Sequence, residues 1–237
     1  MYLYNAKYIH HQKGLSSALV RELVFGIEDG MVSTLGAITG IATSTQNHFF
    51  VVLSGCVIIS VESISMAVGS YLSNKSEQAI DERMIEEERE EIRDYPDEEK
   101  VEMVDLFVKD GWPRQLAQTM ANETGKNKDL MLKEMAYREL NLVPGIHESA
   151  AKKAVIMGSS YIVGGLVPLL PFLFFDINTA LFVSIPFTIA GLFLLGVYTT
   201  RYSKRAWWKA GLEMMGLATA AAIIGYLVGQ GVNKWWL

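Results

Sequence analysis

One cysteine, Cys56, occurs in 237 residues, so the chain has neither a disulfide framework nor a cysteine-based zinc site available to it. Four histidines, His10, His11, His48 and His147, fall in predicted tails or loops without metalloprotease spacing, no Gly-x-Ser-x-Gly elbow occurs, and Cys56 has no nearby base. An intramembrane enzyme is therefore poorly supported. A basic excess is missing too: 21 Lys and Arg stand against 26 Asp and Glu, a formal net charge of -5, which excludes a nucleic-acid binder working through an overall positive field. Charge of either sign is scarce over most of the chain. Between Asn74 and Ala150 lie 20 of the acids and 11 of the bases, leaving 6 acids and 10 bases for the other 160 positions. The sequence is two materials, an acidic helical block and an apolar remainder. An only slightly positive mean hydropathy is the average of the two.

Five segments in the apolar remainder meet the roughly 20 residues that a helix needs to cross a bilayer core of about 30 Å. They are residues 19–43, 49–72, 154–175, 179–200 and 210–232. Gly26, Gly30, Gly36 and Gly40 in the first, and a similar Gly and Ala texture in the others, suit helices whose backbones pack closely in lipid. Lys and Arg fall in alternate connections: Lys7, Lys13 and Arg21 in the N-terminal arm and the first residues of the first span, Lys75, Lys152 and Lys153 around the acidic block, and Arg201, Lys204, Arg205 and Lys209 before the last. The connections Ser44-Thr45-Gln46-Asn47-His48 and Asp176-Ile177-Asn178 carry none. This predicts an all-α, five-span polytopic membrane protein with the N-terminus and the acidic block in the cytosol. Trp207 and Trp208 mark the inner interface, and Trp235 and Trp236 with Lys234 the outer one. The first fourteen residues contain no apolar run before a small-residue cleavage site, so the first span is expected to be kept. The expected organisation is residues 1–73 with spans one and two, 74–150 as a helical cytosolic domain, and 151–237 with spans three to five.

Within the block, residues 75–93 carry a sparse apolar stripe at helical spacing, Asp94-Tyr95-Pro96 ends that helix, and Pro96 opens the next over residues 97–109. Asp110-Gly111-Trp112-Pro113 is a turn. Shorter helices follow over residues 114–121 and 128–140, and Pro144-Gly145 returns the chain to the membrane. The bends should bring Glu-rich faces together, which costs free energy unless a cation sits between them. Met131 and Met135 lie in line with Glu134 and Glu139, and a thioether beside carboxylates favours a borderline transition metal over Mg or Ca.

An ionisable residue inside a span is expensive and points to function. The first span holds Glu28 and Asp29; the second holds Glu62, with Met66 one turn away on the same face. Asp29 and Glu62 each lie about ten residues into their spans, so antiparallel neighbours bring them together near mid-bilayer. Two carboxylates with a thioether suit a divalent cation and can also exchange protons.

Glu22-Leu23-Val24-Phe25-Gly26-Ile27-Glu28-Asp29-Gly30 and Glu62-x-Ile64-Ser65-Met66-Ala67-x-Gly69-x-Tyr71-Leu72-Ser73-x-Lys75-x-Glu77 resemble two signature stretches of the vacuolar iron transporter family. The resemblance covers nearly the whole chain. It implies a homodimer of five-span protomers in a lipid bilayer, exchanging Fe(II), and often Mn(II), for protons, with a cytosolic metal-binding insert between spans two and three. It implies a translocation site on Asp29, Glu62 and Met66, lined where two protomers meet. In the insert it implies metal ligands at Glu88 and Glu91, Glu99 and Glu102, and Met135 with Glu139. No cofactor beyond the metal itself is implied. Two positions depart from the family pattern: Ala136 stands where a second Met is usual, and Glu28 where an Asn commonly precedes the Asp. The expected host is the cell membrane, with a vacuolar membrane as the alternative. A membrane-anchored metal buffer or sensor is the competing function; it would leave Asp29 and Glu62 without a task.

Overall fold

Ser16 opens the first helix: its extended backbone turns the chain, and its hydroxyl accepts the Leu19 amide at 3.2 Å. The helix ends where Gln46 takes a left-handed conformation and returns its amide to Ala42. The computed structural model describes residues 16–143, 145, 148–203 and 205–236, without the side chains of Tyr202, Leu217, Trp235 and Trp236. Lys7, His10, His11, Lys13, Pro144, His147 and Lys204, and the two C-terminal tryptophan side chains, lie outside the described residues.

Among the described residues the chain is helical throughout, as α1 (Ser17–Thr45), α2 (His48–Asp94), α3 (Pro96–Lys109), α4 (Arg114–Thr124), α5 (Lys128–Arg138), α6 (Ala150–Phe174), α7 (Ile177–Ser203) and α8 (Trp207–Trp236). It divides into two compact units, one of Met1–Tyr71 with Ala150–Leu237 and one of Leu72–Ser149. Four helices, α2, α6, α7 and α8, are long and apolar enough to cross a membrane. The 29-residue α1 is long enough, but Arg21, Glu22, Glu28 and Asp29 interrupt its apolar run. One expectation changes here: residues 49–72 and 75–93 are not two helices but one. Ser73-Asn74-Lys75 contains no Gly or Pro to break the hydrogen-bond ladder, so polarity changes along α2 while the backbone does not.

In the first unit, polarity is inverted relative to a soluble domain. Phe174 and Phe182 are 76% and 81% exposed, whereas Thr34, Thr39, Ser184 and Thr188 are buried. Helix α1 lies against α6, α7 and α8. A β-carbon on Gly30 would collide with the Tyr161 carbonyl and the Gly165 amide, and one on Gly164 with the Ile27 carbonyl, so α1 and α6 meet backbone to backbone. Val51, Gly55, Ile59 and Ser63 form the one buried stripe in this part of α2; of these, Gly55 faces Ile38 and Leu169. Pro168 and Pro171 sit inside α6, and the Ser184 hydroxyl of α7 donates to the Pro168 carbonyl at 2.7 Å. The carbonyls that lose an amide partner to these prolines are those of Gly164 and Val167, so the Ser184 contact is an added link between α7 and α6.

The second unit is built as a small soluble domain. Ile92, Met103, Val104, Phe107, Ala117, Ala121, Met131, Leu132 and Met135 form its core. Asn127 caps α5 by accepting the amides of Asp129 and Leu130. Arg138 lies over the Phe107 ring, 4.4 Å from its centroid, and donates to both Glu134 and Asp110.

Candidate metal sites

Burial and charged neighbours distinguish the acids of the apolar helices. Asp29 is half-buried on α1, and Glu62 is exposed on α2 in the single chain. The two carboxylates are near enough that each lies in the other's field. Met66 is half-buried one turn from Glu62. Glu28 lies within reach of Asp29 and of Glu213 on α8. Glu213 itself pairs with Arg205 at 3.1 Å, both ends open to the surroundings. Like charges this close, in helices this apolar, leave a net demand for a cation or for protons.

Two residues of this region carry structure that sequence reasoning passed over. Glu22 is 4% exposed, and its carboxylate accepts the Ser70 hydroxyl at 2.9 Å, with Arg21 at 3.5 Å on its other oxygen. This ties the start of α1 to α2. Its signal was present, because Glu22 stands seven residues, two helical turns, before Asp29. Tyr161 on α6 is fully buried, with its hydroxyl 2.6 Å from Ser33 Oγ. A tyrosine in an apolar span gives no such signal. His48, expected in a loop, is the first residue of α2, and its Nε2 donates to the Phe172 carbonyl. Cys56 is free and exposed.

In the second unit the bend at Pro96 sets α3 against the end of α2. Glu88 and Glu99 are buried at 2% and 6% exposure, and one oxygen of each, Oε1 of Glu88 and Oε2 of Glu99, has no hydrogen-bond partner. Glu139, just past the end of α5, shares a hydrogen bond with Glu88. Glu91 and Glu102 are exposed but act on the group electrostatically. Burial first, then Glu139, Glu99 and Glu91, push the Glu88 carboxyl up to about 8. Burial, followed by Glu102, Glu91 and Glu139, pushes Glu99 up to about 7, against a hydrogen bond from Glu88 that favours its charged form. Glu139 is raised as well, by burial and Glu102. The five glutamates singled out by spacing therefore lie within one electrostatic group.

The methionines do not follow the expected pattern. Met131 and Met135 are buried in the hydrophobic core, and Glu134 is taken by Arg138 at 3.1 Å. The helical repeat does keep Met135 and Glu139 in line, with the Glu139 amide bonded to the Met135 carbonyl, but the apolar demand of a small core draws the thioethers inward. Ala136 is likewise buried. Among the described residues, no three His, Cys, Asp or Glu side chains are arranged closely enough to hold a metal ion. The buried carboxyls are gathered, not clenched.

Comparison with known proteins gives these clusters a context. A "Vacuolar iron transporter" of Centaurea cyanus is 28% identical over 237 residues, covering 96% of this chain and 94% of its own. "Vacuolar iron transporter 1" of Tulipa gesneriana is 26% identical over 227 residues, covering 95% and 92%, and that of Arabidopsis thaliana 27% identical over 226 residues, covering 94% and 90%. The VIT family matches residues 20–230, an interval that holds both the Asp29–Glu62 pair and the Glu88–Glu99–Glu139 group. With nearly its whole length matched, both carboxylate clusters included, the chain belongs to the VIT family.

Proposed function

We propose that the protein carries Fe(II), and also Mn(II), out of the cytosol across a membrane in exchange for protons. Metal transport in a membrane is supported by family membership and by relatives named as vacuolar iron transporters. The observation that carries the finer reading is the pair Asp29 and Glu62, two carboxylates in each other's field on helices otherwise apolar over most of this unit. In this reading α1 is a fifth span, and the N-terminus and the acidic insert face the cytosol. Asp29, Glu62 and Met66 bind the metal in transit, and the carboxylates take up protons when it leaves.

The exposure of Glu62 supports a homodimer. Glu62 shares the uncovered surface of α2 with Val61, Ile64, Ser65 and Val68, and a carboxylate on an apolar helix would otherwise face lipid. A second copy covering that face would close the site. The insert acts as the cytosolic collector: Glu88, Glu91, Glu99, Glu102 and Glu139 supply oxygen ligands, and the two unpartnered oxygens of Glu88 and Glu99 are where an incoming cation gains most. Met135 would need to turn out of the core to contribute its sulfur.

The test is metal flux in proteoliposomes with a pH gradient. Asp29→Ala and Glu62→Ala should each abolish Fe(II) uptake while the dimer stays folded. Undiminished flux in both variants would overturn the site, and metal binding without any flux in the unmodified protein would make it a membrane-anchored buffer.

A further inference from the structure

We infer that Tyr161 is a positioning residue for the membrane carboxylate pair, acting on Asp29 through the Ser33 hydroxyl. The inference rests on the reading of Asp29 and Glu62 as the translocation site. Ser33 Oγ lies 2.6 Å from the Asp29 carbonyl, to which it donates, and 2.6 Å from the Tyr161 hydroxyl. A serine has one hydroxyl proton, and here the Asp29 carbonyl takes it, so the phenol must be the donor to Ser33. The chain of donation is Tyr161 to Ser33 to the backbone of Asp29.

That carbonyl lies in the helical turn of α1 where the Ser33 amide is its usual partner. A side chain that bonds back to the carbonyl four residues earlier shifts the turn and bends the helix slightly. The direction of the Asp29 side chain is therefore set partly by a hydroxyl on a different helix. The main chain of α6 grips the same turn. Gly26 and Gly30, three residues before and one after Asp29, have no room for a β-carbon because Met157, Ser160 and Tyr161 press on them. Both Asp29 and Glu62 lie within electrostatic reach of the phenol, so Tyr161 borders the site it orients.

Packing alone does not need the hydroxyl, since phenylalanine fills nearly the same volume. Tyr161→Phe and Ser33→Ala are therefore compared for Fe(II) uptake by the full-length protein in proteoliposomes under reducing conditions. Each should raise the apparent KM about tenfold with the maximal rate changed less than about twofold. The double variant should resemble either single one, because both break the same chain. Ser33→Thr, which restores a hydroxyl, should recover a KM closer to that of the unmodified protein than Ser33→Ala does. An unchanged KM in Tyr161→Phe, or effects that multiply in the double variant, would overturn the inference. Asp29→Ala serves as the separate check: if it still transports, the underlying site reading fails, whereas its inactivity beside a normal Tyr161→Phe sinks only the role given to Tyr161.

Discussion

Glu88 is a buried carboxyl whose pKa is pushed up to about 8 from an ordinary value of 4.5, and that gap fixes the sign of a pH effect. Between these values the folded insert holds a proton that the unfolded chain has released. The contribution to stability is complete below about 4.5 and is lost as pH rises through about 8. Glu99, raised to about 7, adds to the same trend. Hydrogen exchange of the amides around Phe107 and Met131 in the full-length, metal-free protein should report easier opening as pH climbs through this window, after correction for the intrinsic pH dependence of exchange. Glu88→Gln should flatten the trend, and Mn(II) should oppose it. Opening that becomes harder with rising pH would show that these acids are ionised in the fold. A second residue-scale prediction follows from the burial of Met135. Its truncation to Ala should cost about 2–5 kcal/mol of insert stability, read by the same exchange. If Met135 were chiefly a ligand, the metal-free protein would hardly notice.

At the scale of elements, what could be read in advance depended on whether a physical cost was visible in one dimension. A carboxylate in an apolar run is conspicuous at any depth, which is why Asp29 and Glu62 stand out in the sequence. Pro96 and Asn127 act locally, so the starts of α3 and α5 are legible too. The continuity of α2 through Ser73-Asn74-Lys75 is not, because a change in polarity resembles a helix end when only composition is read. A helical repeat shows that Met135 and Glu139 share a line but not that the core takes up the Met135 side chain, and the Tyr161 contact is not legible because its partner Ser33 lies 128 residues away. The seam between α1 and α6 is a similar case: glycines are legible, their partners are not. Gly30→Ala would drive a methyl group into the Tyr161 carbonyl and Gly165 amide of the facing backbone, which cannot swing aside as a side chain does. A loss of about 1–3 kcal/mol is expected, visible as a lower melting temperature in detergent. Gly216→Ala, with no atom near the added carbon and a helix-interior position, should leave the melting temperature unchanged or slightly higher. Equal behaviour of the two variants would mean that the α1–α6 contact is looser than the structure has it.

Over the whole molecule, charge is segregated in a way that net charge conceals. The block from Asn74 to Ala150 has 20 acids against 11 bases, a balance of -9, while the remainder has 6 acids against 10 bases, a balance of +4. A field of that strength on the insert attracts cations from solution before any ligand contact forms, and it acts on the rate of encounter more than on the membrane step. Salt separates the two. The Debye length is about 10 Å at 0.1 M ionic strength and about 3 Å at 1 M, so screening should remove long-range attraction while leaving buried carboxylates largely unaffected. If the insert collects metal for transport, raising the concentration of an inert salt should increase the apparent KM for Fe(II) in proteoliposomes several-fold and leave the maximal rate nearly constant. Glu88→Gln combined with Glu99→Gln removes ligands but little of the insert's charge, because both carboxyls are pushed above the ordinary carboxylate range, to about 8 and about 7, so it should raise KM at every salt concentration yet keep most of the salt dependence. A KM indifferent to salt in the unmodified protein would mean that the acidic block takes no part in gathering the metal, and that Asp29 and Glu62 receive it without help from the block's field.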